Sequence, residues 1–206
     1  MLRIASVFLL LIFERLIALS GRIGLWEWTV VQTVLFSVLP ILFIKASGVK
    51  GEEVGLSKGD LRTGLWYVVV MLLLAMPFMF YGAMLPSFKE YYPIWGPARS
   101  SILSFVVLEL AVLVMMFNTE FFFRGLLLFS LERKMLELNS NKWAANLIHS
   151  FIYMVVHFGK PGLEVPYSFF VGLIFGWLAL KTRSILPTFI AHWTSSVIFD
   201  VLVLVL

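Results

Sequence analysis

Three short segments of this chain place ionisable side chains inside long apolar runs. The first is TEFFFRG at residues 119–125, in which Glu120 and Arg124 are four residues apart. On a helix, residues at this spacing share a face and can form an ion pair. Charges inside a bilayer are costly, so the pair predicts either a structural contact between helices or a functional site.

The second segment is YMVVH, in which Tyr153 and His157 are again four residues apart. It is followed at once by GKPGLE, which ends at Glu164. Glycine and the prolines at 161 and 166 predict a break in the helix directly after His157. A histidine near a helix end is more often a hydrogen-bonded interface residue than a catalyst. Irregular backbone at membrane depth is tolerated where it lines a cavity, however, so this break favours a functional interpretation.

The third segment is HWTSSVIFD, where His192, Ser196 and Asp200 recur every four residues along the last apolar run. This spacing predicts one polar stripe on a helix. Hydrogen bonding between helices explains a serine and a histidine, but it explains Asp200 less well. His149 has no comparable partner pattern, so we interpret it as structural. Glu109 lies more than about 15 Å from Glu120 along the same predicted helix, too far to belong to the same site.

Together, one Glu–Arg pair and two histidines on three helices indicate activation of a water molecule. The Glu120 carboxylate could accept a proton, and neutral His157 and His192 could orient the water. The same two histidines with Glu120 would also suit zinc with an open position for water. The chain has no HExxH motif and no cysteine, and its one GxSxG match, GLSKG at 55–59, lies in the polar loop 48–64 and not in a strand-to-helix elbow, so ordinary zincins and serine or cysteine hydrolases lose their support.

Composition identifies the elements that must position these residues. The chain has 206 residues, of which 61% are hydrophobic and only 14% charged. This predicts an integral, multi-pass membrane protein with a single domain spanning residues 1–206. No cluster of basic residues is long enough to bind nucleic acid. The expected fold is an all-α bundle of seven or eight membrane helices, with spans at 4–20, 25–46, 64–82, 100–130, 143–158, 166–181 and 184–206. The fourth span is long, and we expect it to bend or split near Gly125.

The distribution of basic residues predicts the orientation of these spans. With seven spans and a cytoplasmic N-terminus, the cytoplasmic side carries ten lysines and arginines and the other side four. The ten are Arg3, Lys45, Lys50, Lys58, Arg62, Arg133, Lys134, Lys142, Lys181 and Arg183; the four are Arg22, Lys89, Arg99 and Lys160. Since cytoplasmic loops are enriched in positive charge, this orientation is favoured.

The order of the three segments resembles the CPBP family of intramembrane proteases, also called the Abi family, which includes the CAAX prenyl proteases and bacteriocin-processing enzymes. Its motifs EExxxR, FxxxH and HxxxN fall here on TEFFFRG, YMVVH and HWTSS, so the resemblance covers about residues 100–200. It implies an intramembrane endopeptidase that cleaves peptides or the C-termini of prenylated proteins, using water activated by Glu and His, with or without a metal such as zinc. The expected location is a prokaryotic cell membrane, with lipid around the helices.

Three positions depart from the family pattern. Thr119 stands where the first motif glutamate, usually assigned as the base, would be. Tyr153 replaces Phe, and Ser196 replaces the Asn at the oxyanion-stabilising position. We therefore expect Glu120 to act as the base, with the helix rotated so that it faces the cavity, and Glu164 to assist.

Two other functions remain open. The missing glutamate is also typical of a pseudoenzyme, a relative without catalysis that serves as a membrane scaffold or a bacteriocin-immunity protein. A small transporter could use the buried Glu and His as a proton relay. The chain shows no inverted repeat and no pair of matched broken helices, which argues against transport.

Overall fold

The computed structural model describes residues 2–19 and 24–206, and every regular element in these ranges is helical. The predicted all-α class is therefore confirmed. Eight helices can be distinguished in the described ranges: α1 (Leu2–Leu19), α2 (Leu25–Ala46), α3 (Leu61–Met84), α4 (Pro86–Tyr91), α5 (Ile102–Glu137), α6 (Lys142–Val155), α7 (Glu164–Thr182) and α8 (Leu186–Val205).

The start of several helices follows from local sequence. Asp60 caps α3 by accepting a hydrogen bond from the backbone N–H of Thr63 at 3.1 Å. Ser101 caps α5 through the N–H of Ser104 at 3.0 Å, and Asn141 caps α6 in the same way. Such side-chain oxygens satisfy backbone donors that have no partner in the first helical turn. Pro187 lies in the first turn of α8, where its missing N–H costs nothing.

Two of the long helices contain π-helical segments, Val34–Val38 in α2 and Phe121–Leu128 in α5. The two segments pack against each other through their aromatic rings. Phe36 stacks on Phe122 with 4.0 Å between ring centroids and meets Phe123 edge-on at 6.0 Å. The predicted irregularity near Gly125 is thus a π segment in a continuous helix, and π segments are frequent at functional sites.

The loops between α2 and α3, between α5 and α6 and between α7 and α8 meet at one end of the bundle. The N–H of Ile185 donates to the Gly55 carbonyl and that of Asp60 to the Thr182 carbonyl, both at 3.0 Å. Nine basic residues lie along these loops and the adjoining helix ends: Lys45, Lys50, Lys58, Arg62, Arg133, Lys134, Lys142, Lys181 and Arg183. We call this the basic end; that it faces the cytoplasm remains a prediction. Arg22, by contrast, lies outside the described residues.

At the opposite end, residues 85–101 form an aromatic loop that covers the bundle. The rings of Phe88 and Tyr92 lie 5.5 and 5.3 Å from that of Phe199 on α8. Arg99 holds the loop together by donating to the Lys89 carbonyl at 2.7 Å.

Five described helices are long and apolar enough to cross a membrane: α2, α3, α5, α7 and α8. The chain is therefore an integral membrane protein, but the predicted count of seven or eight membrane helices is not confirmed. Helix α1 carries three charged residues, Arg3, Glu14 and Arg15. Helix α6 has 14 residues, or about 21 Å at 1.5 Å per residue, which is shorter than the hydrocarbon core of about 30 Å.

Candidate active site

Glu120 lies at the centre of the polar residues that the sequence singled out. It is the last residue of α5 before the π segment, and it is fully buried. Its Oε1 accepts a hydrogen bond from Arg124 Nη1 at 3.0 Å and lies 2.7 Å from Nδ1 of His192 on α8. The predicted ion pair between Glu120 and Arg124 is confirmed, and the structure brings His192 into direct contact with it.

The geometry at Glu120 indicates which ring nitrogen of His192 donates a hydrogen bond. A carboxylate oxygen 2.7 Å from Nδ1 is best satisfied if Nδ1 carries the hydrogen. In the neutral imidazole Nε2 then holds a lone pair and can accept a proton or a hydrogen bond. The His192 side chain is 19% exposed, while Glu120 and Arg124 are not exposed at all, so His192 is the member of this group that other molecules can reach.

Arg124 is held between aromatic rings. The centre of its guanidinium group lies 4.0 Å from the Tyr153 ring centroid and 5.3 Å from that of Phe175. Its Nε and Nη2 are buried and have no hydrogen-bond partner among the described residues. The faces of these two rings also stabilise the positive charge of the guanidinium group. The Arg124 fork therefore keeps two donors directed into the interior of the protein.

The three phenylalanines of TEFFFRG pack entirely within the protein. Phe121, Phe122 and Phe123 are each at most 2% exposed. These three rings therefore do not form the lipid-facing surface of α5. The next residue, Gly125, allows the Val54 backbone to pack closely, since a Cβ at this position would lie 2.8 Å from the Val54 carbonyl oxygen. The π segment is thus enclosed on every side by neighbouring elements.

His157 lies just past the end of α6 and is only 9% exposed. Its Nδ1 lies 2.7 Å from the Tyr153 carbonyl oxygen, which can only accept, so Nδ1 donates and Nε2 is left as an acceptor. The Tyr153 ring stands between the two histidines, 4.5 Å from His157 and 6.5 Å from His192 between ring centroids. Helix α6 ends at Val155, so His157 follows the helix instead of lying inside the predicted span 143–158.

Glu164 and Ser196 are not bonded to this group. Glu164 begins α7, where it accepts hydrogen bonds from Tyr92 Oη at 2.8 Å and Lys160 Nζ at 2.7 Å. Within the described ranges no hydrogen bond or ion pair joins it to Glu120 or to either histidine. Ser196 is half-buried one turn beyond His192 on α8, and its hydroxyl has no hydrogen-bond partner in the described part of the chain.

Thr119, the neighbour of Glu120, faces a different helix. Its hydroxyl donates to the Met115 carbonyl at 2.8 Å and is approached by Gln32 Nε2 of α2 at 3.4 Å. One residue earlier, Asn118 accepts from Ser37 and donates to Thr33, also on α2. Positions 118 and 119 therefore hold α5 against α2, while Glu120 faces α8.

Sequence reasoning missed one neighbour of the Glu120 carboxyl. Thr188 is fully buried beside it, one turn before His192 on α8. The signal was present, because Thr188 extends the four-residue spacing of His192, Ser196 and Asp200 backwards by one step. At the other end of that stripe, Asp200 meets the carboxyl of Glu109 on α5, and both are buried. This contact lies apart from the Glu120 group.

The predicted zinc ligands do not assemble into a metal site. Within residues 2–19 and 24–206 no three His, Asp or Glu side chains are grouped so that they could hold an ion. Nδ1 of His192 contacts Glu120 and Nδ1 of His157 contacts a carbonyl, which leaves Nε2 of each histidine as the nitrogen that could bind a metal, but no carboxylate among the described residues is grouped with both as a third ligand. These residues do not fit a three-ligand site of the kind that catalytic zinc requires.

Comparison with known proteins gives one result. Residues 100–198 match the family model described as type II CAAX prenyl endopeptidase Rce1-like. The matched segment contains Glu120, Arg124, His157 and His192. No curated protein and no solved structure gives a significant match.

Proposed function

The chain belongs to the CPBP family of intramembrane proteases through its Rce1-like domain at residues 100–198, and from this premise we propose that it is an endopeptidase whose Glu120–His192 pair activates water. The observation that carries the proposal is the 2.7 Å contact between Glu120 Oε1 and His192 Nδ1, formed between two helices inside the bundle. A carboxylate that orients an imidazole is a recurring device for proton transfer in hydrolysis.

In this proposal the pair acts as one base. Nδ1 of His192 donates to Glu120, so Nε2 of this partly exposed side chain can accept a proton as the water oxygen attacks the substrate carbonyl. Glu120 stabilises the imidazolium that forms, and Arg124 keeps Glu120 ionised within the apolar interior. The proton then returns from His192 to the leaving amine, so the peptide bond is cleaved without net gain or loss of protons at the pair.

The remaining residues are assigned to positioning and charge stabilisation. His157, neutral with Nε2 free, can accept a hydrogen bond from the second O–H of the attacking water, which stays on the oxygen. The Ser196 hydroxyl is one turn from His192 and is free to donate to the oxyanion of the tetrahedral intermediate. Glu164 is the assisting carboxylate of the sequence-based hypothesis, and it would have to leave Lys160 and Tyr92 to reach the water.

The substrate class follows from the family and from the membrane setting. We propose a peptide, or the C-terminus of a prenylated protein, that reaches the pair from the membrane. The test is cleavage of farnesylated and unmodified peptides by the purified protein in liposomes, with products identified by mass spectrometry. Cleavage by the natural chain but not by Glu120→Gln or His192→Ala is the expected result. No cleavage of any peptide by the natural chain, although it is folded, would oppose the proposal.

One observation favours a second candidate function. Thr119 replaces the family's first glutamate, and its hydroxyl is bonded within the α2–α5 contact and not to His192. A relative that has lost its base could still bind a peptide in the same place, as a scaffold or a bacteriocin-immunity protein. The activity test separates the two, because a scaffold would bind the peptide and leave it intact.

A further inference from the structure

The basic end of the bundle carries a cavity that the catalytic proposal does not use. It has a volume of about 320 Å³ and lies between the start of α6 and the end of α7, lined by Lys142, Trp143, Trp177, Leu180 and Lys181. Two lysines and two tryptophans line this one cavity, so it combines positive charge with flat apolar rings.

The two lysines are available for an anionic ligand. Of the other seven basic residues at this end, three are in ion pairs: Arg133 with Glu53, Lys134 with Glu137 and Arg183 with Glu132. Lys142 and Lys181 form no ion pair within the described ranges, and both are exposed.

One acid lies in the vicinity of Lys181. The pKa of Asp60 is lowered mainly by its hydrogen bonds with Thr63 and to a smaller extent by Lys181. Asp60 is committed to capping α3 through Thr63, so it does not neutralise the lysine.

The rings around this cavity are of the types that are common at the level of lipid headgroups. Lys181 Nζ lies 5.3 Å from the ring centroids of both Tyr67 and Trp177, and Trp143 is 46% exposed. Tryptophan and tyrosine are enriched where a membrane meets water. The first turn of α6 adds the partial positive charge of a helix N-terminus on the same side as Lys142.

The surface next to the cavity is apolar and exposed. One turn further along their helices, Leu147 on α6 and Ile174 on α7 are 52% and 46% exposed. A small soluble anion bound in the cavity would leave this apolar surface exposed, whereas the acyl chains of a lipid would cover it. The cavity and the adjoining surface together match both parts of a lipid molecule.

We propose that this cavity binds the phosphate-bearing headgroup of an anionic membrane lipid, with Lys142 and Lys181 contacting the phosphate and the acyl chains lying along α6 and α7. Basic pockets between membrane helices are known to bind such headgroups. The site is independent of peptide cleavage, because its residues are separate from Glu120 and His192.

The test is native mass spectrometry of the full chain in detergent, titrated with phosphatidylglycerol and with phosphatidylcholine. We expect one phosphatidylglycerol to bind in preference to phosphatidylcholine. The variant Lys142→Gln/Lys181→Gln should lose about thirtyfold in affinity for phosphatidylglycerol, the scale expected for two lysines at a membrane surface. Lys142→Arg/Lys181→Arg should keep the preference, since it keeps both charges.

The matched control is Lys45→Gln/Lys58→Gln, which removes the same charge from the same end of the bundle but leaves the cavity intact. It should bind phosphatidylglycerol as the natural chain does. An equal loss in both variants would mean that general surface charge attracts the lipid, and would overturn the site. Inorganic phosphate at millimolar concentration should not displace the lipid; full displacement would mean that the cavity binds a free anion, which overturns the lipid assignment.

Discussion

Arg124 Nη1 donates to Glu120 Oε1 at 3.0 Å across one turn of α5, and neither side chain has any exposed surface. Removing one partner of such a pair leaves an uncompensated charge in an apolar interior. The Arg124→Ala variant should therefore lose about 3–5 kcal/mol of stability. The double variant Glu120→Gln/Arg124→Ala should lose less, because the unpaired carboxylate is gone. Thermal unfolding in detergent measures both; a double variant that is as unstable as Arg124→Ala would show that the pairing is not what matters.

The Glu120–His192 pair should be essential for turnover. Glu120→Gln and His192→Ala should each reduce kcat at least about a hundredfold, the scale of lost acid–base catalysis. Ser195→Ala is a suitable control on the same helix, since the Ser195 hydroxyl bonds only to the His192 backbone carbonyl. It should retain most of the activity. Equal losses in Ser195→Ala would indicate damage to α8 and not to chemistry.

Thr119 should not be needed for catalysis. Its hydroxyl is bonded to the Met115 carbonyl and approached by Gln32, so Thr119→Val should keep kcat within a few-fold of the natural chain. Thr119→Glu should place a carboxylate in the α2–α5 contact and give no gain in cleavage. If Thr119→Glu alone switches on a silent protein, the natural chain is a pseudoenzyme.

We expect Glu164 mainly to hold the aromatic loop against α7, with little part in catalysis. Its two oxygens are bonded to Lys160 and Tyr92, which joins α7 to the aromatic loop. We therefore expect Glu164→Gln and Tyr92→Phe to have similar, small effects on kcat and to loosen residues 85–101, measured as faster hydrogen exchange. A hundredfold loss of kcat in Glu164→Gln, with Tyr92→Phe unaffected, would instead support Glu164 as the assisting base.

Cleavage should be insensitive to metal removal. In the described ranges no third ligand is grouped with the two candidate histidines, although each keeps Nε2 free. Activity in liposomes should persist after treatment with a strong chelator, and elemental analysis should find no stoichiometric divalent ion that depends on both histidines. Loss of activity on chelation, restored by zinc, would contradict this.

The sequence allowed the ion pair and the helical class to be predicted because both depend on local spacing. A separation of four residues puts Glu120 and Arg124 on one face of a helix whatever surrounds it. The contact of His192 with Glu120 could be anticipated only from the order of motifs, since it joins residues 72 positions apart. Rotation of Glu120 towards α8 was one of two options, and the anchoring of Asn118 and Thr119 to α2 accounts for it.

Other features depend on tertiary packing and were not predictable from the pattern. Hydropathy cannot distinguish a spanning helix from one of 14 residues such as α6, because both read as apolar runs. No sequence pattern in Phe121–Leu128 predicts a π segment. In the structure, this segment packs closely against Phe36 and the Val54 carbonyl, which lie on other elements. Of the two partners of Glu164, Lys160 is only four residues away, but Tyr92 comes from a loop 72 residues earlier, which spacing does not reveal.

The π segment in α5 also determines how the helix tolerates changes in its length. A π turn contains one more residue than an α turn. Deleting one residue between 121 and 128 could therefore convert the segment to ordinary α-helix without interrupting α5. Everything beyond it would then keep its register with the neighbouring helices. The same deletion between Ile102 and Glu120 has no surplus residue to absorb it, and it would turn the first half of α5 by about 100° relative to the second. Paired single-residue deletions in the two halves would thus differ sharply in outcome.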